Sequence, residues 1–112
     1  ETFQQALFRM IDERGLKDSE VYKRANMDKK LFSKIRSNAD YQPKKITAIS
    51  LALALRLNLD ETRDFIGRAG FALTHTSKFD IIIEYFIENK NYDLFEINQV
   101  LFAFGEPLIG NF

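Results

Sequence analysis

The residues able to do chemistry in this chain are few and mostly cationic. Lys29, Lys30, Ser33, Lys34, Ser37 and Asn38 fall on one side of a short run that begins at Asp28, and Lys44 and Lys45 follow within one loop. Ammonium groups and hydroxyls at this spacing suit an anion with repeated charge. They reach phosphate oxygens from many angles, so they position a polyanion rather than read it. Sequence readout in the major groove relies on bidentate Arg, Asn or Gln, and none stands in the middle of this face. The partner these residues fit is double-stranded DNA, bound with weak intrinsic base specificity. The alternative is that the lysines solvate a short helix and bind nothing.

The other reactive side chains form no constellation. His75 is the single histidine and cysteine is absent, so thiol catalysis, disulfides and zinc-thiolate sites are excluded. Asp93 with Glu96, and Asp60 with Glu61 and Asp64, could be imagined as acid-base pairs. Both sets sit at expected helix starts, where carboxylates complement the helix dipole. The five glycines are scattered and make no phosphate loop. The chain reads as non-enzymatic, with no metal and no cofactor.

The elements that carry these residues are marked by apolar positions recurring at helical spacing throughout. Phe3, Leu7, Met10 and Ile11 make an opening amphipathic helix that Gly15 is placed to end. Asp18 can cap a second helix with Val21, Tyr22 and Ala25 inward. Asn26 is one of the few residues besides glycine that accept a left-handed terminus. Asp28 then caps a third helix whose Leu31, Phe32 and Ile35 are buried, leaving the lysines outside. Helix, short break and helix is the unit whose second member can enter a major groove. Asn38 to Pro43 is a loop. The run from Thr47 to Leu57 is apolar nearly all round and reads as a central buried helix. Asp60 is expected to cap a fifth helix with Phe65, Ile66 and Ala69, closed by Gly70.

Beyond residue 70 the pattern changes. Ser77 with Asp80 resembles a capping box, and Phe79, Ile82, Ile83, Phe86 and Ile87 form one stripe. After Asn89-Lys90-Asn91, Asp93 starts another helix with Leu94, Ile97, Leu101 and Phe104 inward. The expected fold is all-α and a single domain over residues 1–112. It comprises a five-helix helix-turn-helix unit over 1–70 and a helical hairpin over 71–112. The hairpin's aromatics exceed what one surface can bury. Phe95, Phe102, Phe104 and Phe112 are therefore candidates for a protein interface or for self-association, with core packing as the alternative.

Equal numbers of acidic and basic residues, sixteen of each, conceal a gradient. From Lys17 to Lys45 there are nine bases and four acids; from Phe79 to Phe112 there is one base, Lys90, and six acids. An anionic partner at one end, or head-to-tail association, would use that asymmetry. No apolar run approaches membrane-spanning length, and no charged-then-apolar leader is visible. A cytoplasmic protein without membrane contact is expected. The opening at Glu1 suggests a module attached to another domain on its N-terminal side.

Residues 16 to 70 resemble the phage-repressor-like (XRE-type) helix-turn-helix family. The resemblance lies in Val21, Met27, Phe32 and Ile35, in the loop to Pro43, and in Leu53 and Leu57 followed by Leu59-Asp60-Glu61. Glu20 to Asn26, Lys30 to Asn38, Leu57 to Thr62 and Ser77 to Asp80 look more narrowly like a module that follows macro domains and other domains in bacterial proteins. That resemblance implies an accessory or regulatory role in a larger protein. The chain departs from the repressor pattern at three places. Lys17-Asp18-Ser19 stands where the family carries a phosphate-bridging glutamine, Tyr22 where it favours a small residue, and Arg36 where an acid is frequent.

Overall fold

The computed structural model describes residues 1–110, and every regular element among them is a helix. The order is α1 (Phe3–Glu13), α2 (Asp18–Arg24), α3 (Lys29–Arg36), α4 (Lys45–Ala54), α5 (Leu59–Gly67), α6 (Lys78–Glu88) and α7 (Leu94–Ala103). Five starts are fixed by a side-chain oxygen that accepts from the free amides of the first turn. Thr2 accepts from Gln5 N, Asp28 from Lys30 N, Asn58 from Glu61 N, Ser77 from Asp80 N, and Asp93 from Phe95 N and Glu96 N.

Two of the expected starts are corrected, and one expected capping box is incomplete. Asp18 is not the cap of α2: Lys17 occupies that position, and the Glu20 carboxylate returns to accept from Lys17 N at 3.2 Å. Asp60 lies inside α5, because Asn58 and Glu61 form a reciprocal box that begins the helix two residues earlier. The Ser77 box is half-formed, since the Asp80 side chain turns inward instead of back to Ser77.

Every helix end except that of α3 shares one device. After α2 the N–H of Met27 donates to Tyr22 O and that of Asn26 to Lys23 O, the paired closure that needs a left-handed residue between them. Asn26 has φ 51°, as its residue type allows, and Gly15 plays the same part after α1 at φ 62°. Arg56 after α4 and Lys90 after α6 adopt it without being glycine or asparagine, at φ 56° and 53°. The apolar run expected to be helical to Leu57 therefore stops at Ala54.

Burial follows the inward stripes. Eight consecutive residues of α4, Thr47 to Ala54, are buried, and this helix packs against α2 and α5. The hydroxyl of buried Ser50 is satisfied by donating to Ile46 O at 2.8 Å. α1 lies against α3 and α5, with the Phe3 and Phe65 rings 4.4 Å apart, and α6 packs between α5 and α7. Removing a fully buried Leu, Ile or Phe from water is worth about 1.5–3 kcal/mol each, so this shared core outweighs any single cap.

The chain after α7 is also held. Asn98 accepts from Ile109 N at 2.9 Å and donates to Ile109 O at 2.8 Å, Ile109 is buried, and Asn26 Nδ2 donates to Gly110 O at 2.6 Å. This tail lays the C-terminal segment over the turn between α2 and α3.

Candidate nucleic-acid interface

The outer face of α3 is positioned from inside. Phe32 and Ile35 are buried, the Phe32 ring meets Phe8 edge-on at 5.6 Å, and the Tyr22 ring lies 5.7 Å from Phe32. Tyr22 is half-buried and fills the space that a small residue would leave between α2 and α3. Arg36 locks the far end of the helix. Its guanidinium donates to both Asp18 oxygens at 2.7 Å and sits 4.1 Å from the Phe8 ring centroid. Gln4 donates to Arg36 O at 2.9 Å. A bidentate pair of this kind restricts rotation as well as adding energy, and the carboxylate raises the guanidinium pKa above its usual range.

With the inner face fixed, Lys29, Lys30, Ser33, Lys34, Ser37 and Asn38 are all exposed. None of the three lysines lies within ion-pair distance of an acid among the described residues. Two polar members are partly engaged. Ser37 Oγ donates to Lys34 O at 3.2 Å, and Asn38 Oδ1 accepts from Asp40 N at 3.0 Å, which leaves the Asn38 amide group as a donor. The loop that follows is pinned by Gln42, which donates to Ala69 O at 2.7 Å, and by buried Pro43.

Lys44 and Lys45 separate in role. Lys44 is exposed and has no acidic partner among the described residues, whereas Lys45 Nζ lies 2.8 Å from Asp80 Oδ1 and 3.0 Å from Oδ2. Asp80 is 1% exposed and also accepts from Thr74 N and Thr74 Oγ1. Lys45 is therefore the counter-charge of a buried carboxylate joining α4 to α6. No local pattern signals this pair, whose members stand 35 residues apart.

The remaining candidates lie elsewhere. Phe95, Phe102 and Phe104 are 72%, 77% and 57% exposed. Phe104, expected on the inner face of α7, is instead the residue that ends the helix. Phe112 falls outside the described residues. Phe79 is buried and Phe86 half-buried, so the apolar stripe of α6 is mostly core. His75 is exposed beside Glu84, at 3.2 Å, and Glu84 also pairs with Arg63. Among the described residues no three His, Cys, Asp or Glu side chains converge as metal ligands, and no helix is long and apolar enough to cross a membrane. Comparison of the chain with protein-family models, with curated proteins and with solved structures finds no match.

Proposed function

We propose that this all-α chain is a repressor-like helix-turn-helix module that binds double-stranded DNA through α3, as an accessory or regulatory part of a larger bacterial protein. The observation that carries the reading is the exposed row Lys29, Lys30 and Lys34. It is free of acidic partners among the described residues and stands on a helix whose opposite face is anchored by Phe32, Ile35 and Arg36. Arg36 also supports it indirectly. An unpaired carboxylate at Asp18 would repel a phosphate approaching the start of α2, and the bidentate contact neutralises it. Lysines and serines contact the backbone, so affinity falls evenly over DNA sequences.

Binding of the 112-residue chain to labelled random-sequence duplex at several salt concentrations tests this. Four free lysines, counting Lys44, give a slope of log affinity on log salt of about −3.6, at about −0.9 per phosphate. Replacing Lys29, Lys30 and Lys34 with Glu abolishes binding while the helical signal persists. Unchanged affinity in that variant removes α3 from the site.

Exposure of Phe95, Phe102 and Phe104 favours a second reading, in which the same fold is a protein-interaction or dimerisation module. Sedimentation distinguishes the self-associating form: a monomer at high concentration excludes homodimerisation through these rings.

A further inference from the structure

The opposite end of the chain carries an apolar groove with acidic edges. α6 and α7 diverge enough to leave a hollow of about 620 Å³ lined by Ile81, Ile82, Tyr85 and Phe86 from one helix and Glu96 and Val100 from the other. Ile81 and Tyr85 are 46% and 56% exposed although they occupy one face of α6 a single turn apart. They also line a second, smaller hollow with Glu84 and Glu88, so the two form one apolar ridge with depressions on both sides.

Of the three carboxylates lining these hollows, Glu88 and Glu96 are unneutralised and Glu84 is paired. Of the acids from Asp80 to Glu106, Asp80 and Glu84 are paired with Lys45, Arg63 and His75, while Glu88, Asp93, Glu96 and Glu106 have no cation within 4.0 Å among the described residues. Glu96 accepts only from the neutral Asn91 amide, at 2.6 Å. Lys90 is the one base in this segment. An apolar trough with carboxylates on its rims complements a helix with an apolar stripe and cationic flanks.

We propose that the α6–α7 groove docks a basic amphipathic helix supplied by another protein. The cationic helix of a second copy does not supply that partner, because α3 exposes lysines and serines and turns its large apolar residues, Phe32 and Ile35, into its own core. The inference is independent of DNA binding and of Phe95, Phe102 and Phe104.

The test uses a designed helical peptide with leucines at i, i+3, i+4 and i+7 and lysines on both flanks, titrated into the full chain and followed by amide chemical shifts and calorimetry. Saturable binding is expected, with shifts centred on Ile81, Ile82, Tyr85 and Val100. Ile81→Asp and Tyr85→Asp alter exposed positions and keep the helical signal; each weakens binding by about tenfold or more, and Phe102→Asp does not. A peptide with glutamates in place of its lysines, or with serines in place of its leucines, fails to bind. Absence of saturable binding overturns the proposal, as does equal affinity for the three variants or binding of the serine peptide. Sedimentation of the chain alone as a dimer that Tyr85→Asp dissociates also overturns it, since a second copy would then fill the groove.

Discussion

Replacing Lys45 with Met tests whether this lysine serves the fold or a phosphate. Asp80 is the one buried carboxylate among the described residues, and Lys45 supplies its only charged contact, at 2.8 Å and 3.0 Å. Removing one member of a fully buried pair costs about 3–5 kcal/mol, because the survivor is left uncompensated. Two features reduce that figure here. The Lys45 side chain keeps 32% of its exposure, so solvent screens part of the attraction, and Thr74 still donates twice to Asp80. The remaining loss is that of one charge-assisted hydrogen bond, about 2 kcal/mol. Over 112 residues, with an unfolding entropy of about 2.1 cal/mol/K per residue, the midpoint falls by about 8 °C. Methionine retains the aliphatic stem, so packing is not the variable. Asp80→Asn still offers Thr74 an acceptor and leaves no buried charge, so it costs less, about 1 kcal/mol. Urea unfolding of the single and double variants gives the coupling, and duplex binding is measured on the same samples. A Lys45→Met protein within about 0.5 kcal/mol of the parent refutes the structural role. So does a folded variant that loses DNA affinity as fully as Lys44→Met.

Arg56 and Lys90 are exposed and left-handed, a conformation costing about 1–2 kcal/mol for side-chain-bearing residues. Changing either to Gly therefore stabilises the chain by about 0.5 kcal/mol after the entropy of the unfolded glycine is counted, and thermal melts that show destabilisation contradict the terminus geometry. Gly110→Ala acts oppositely. At φ 67° an added Cβ would meet Ala25 O and Leu94 Cδ1 at 3.0 Å, so the tail detaches. Amide exchange at Ile109, whose N–H donates to Asn98, accelerates strongly, and retained protection refutes the docking. Burial, and then the nearby Glu61 charge, raise the Tyr92 pKa above its usual 10.0. An acid whose folded pKa is raised keeps its full contribution below the unfolded pKa and loses it as pH climbs above that value, because the unfolded chain gives up the proton first. Stability consequently declines above about pH 10, and Tyr92→Phe lessens the decline. An equal alkaline loss in Tyr92→Phe rules Tyr92 out as a contributor.

Local signals were legible wherever a residue's own chemistry decided the outcome. The inward residues Phe3, Leu7, Met10 and Ile11 of α1 and the left-handed Asn26 follow from periodicity and backbone preference. Start positions were harder, since Asp18 and Asp60 have cap chemistry but stand one and two residues past the true caps. Whether such a side chain caps depends on the backbone angle at that residue, which packing sets. Least legible were contacts spanning the chain. Asp18 with Arg36, Lys45 with Asp80, and Asn26 with Gly110 join residues whose adjacency exists only after the helices assemble.

That difference bears directly on the charged surfaces. Of the nine bases between Lys17 and Lys45, Arg24, Arg36 and Lys45 are paired within the fold, and of the four acids there, Asp18 and Glu20 are. Six free lysines then face two acids, one of which, Asp28, caps α3. Internal pairing removes three cations yet leaves the excess almost intact, because it consumes acids as well. At the other end two unpaired carboxylates, Glu88 and Glu96, border the apolar hollows. Physiological salt shortens electrostatic reach to about 8 Å, which weakens both surfaces. Only the α6–α7 surface has apolar area to bury. Binding there should therefore keep a residual affinity at high salt that contact through Lys29, Lys30 and Lys34 lacks.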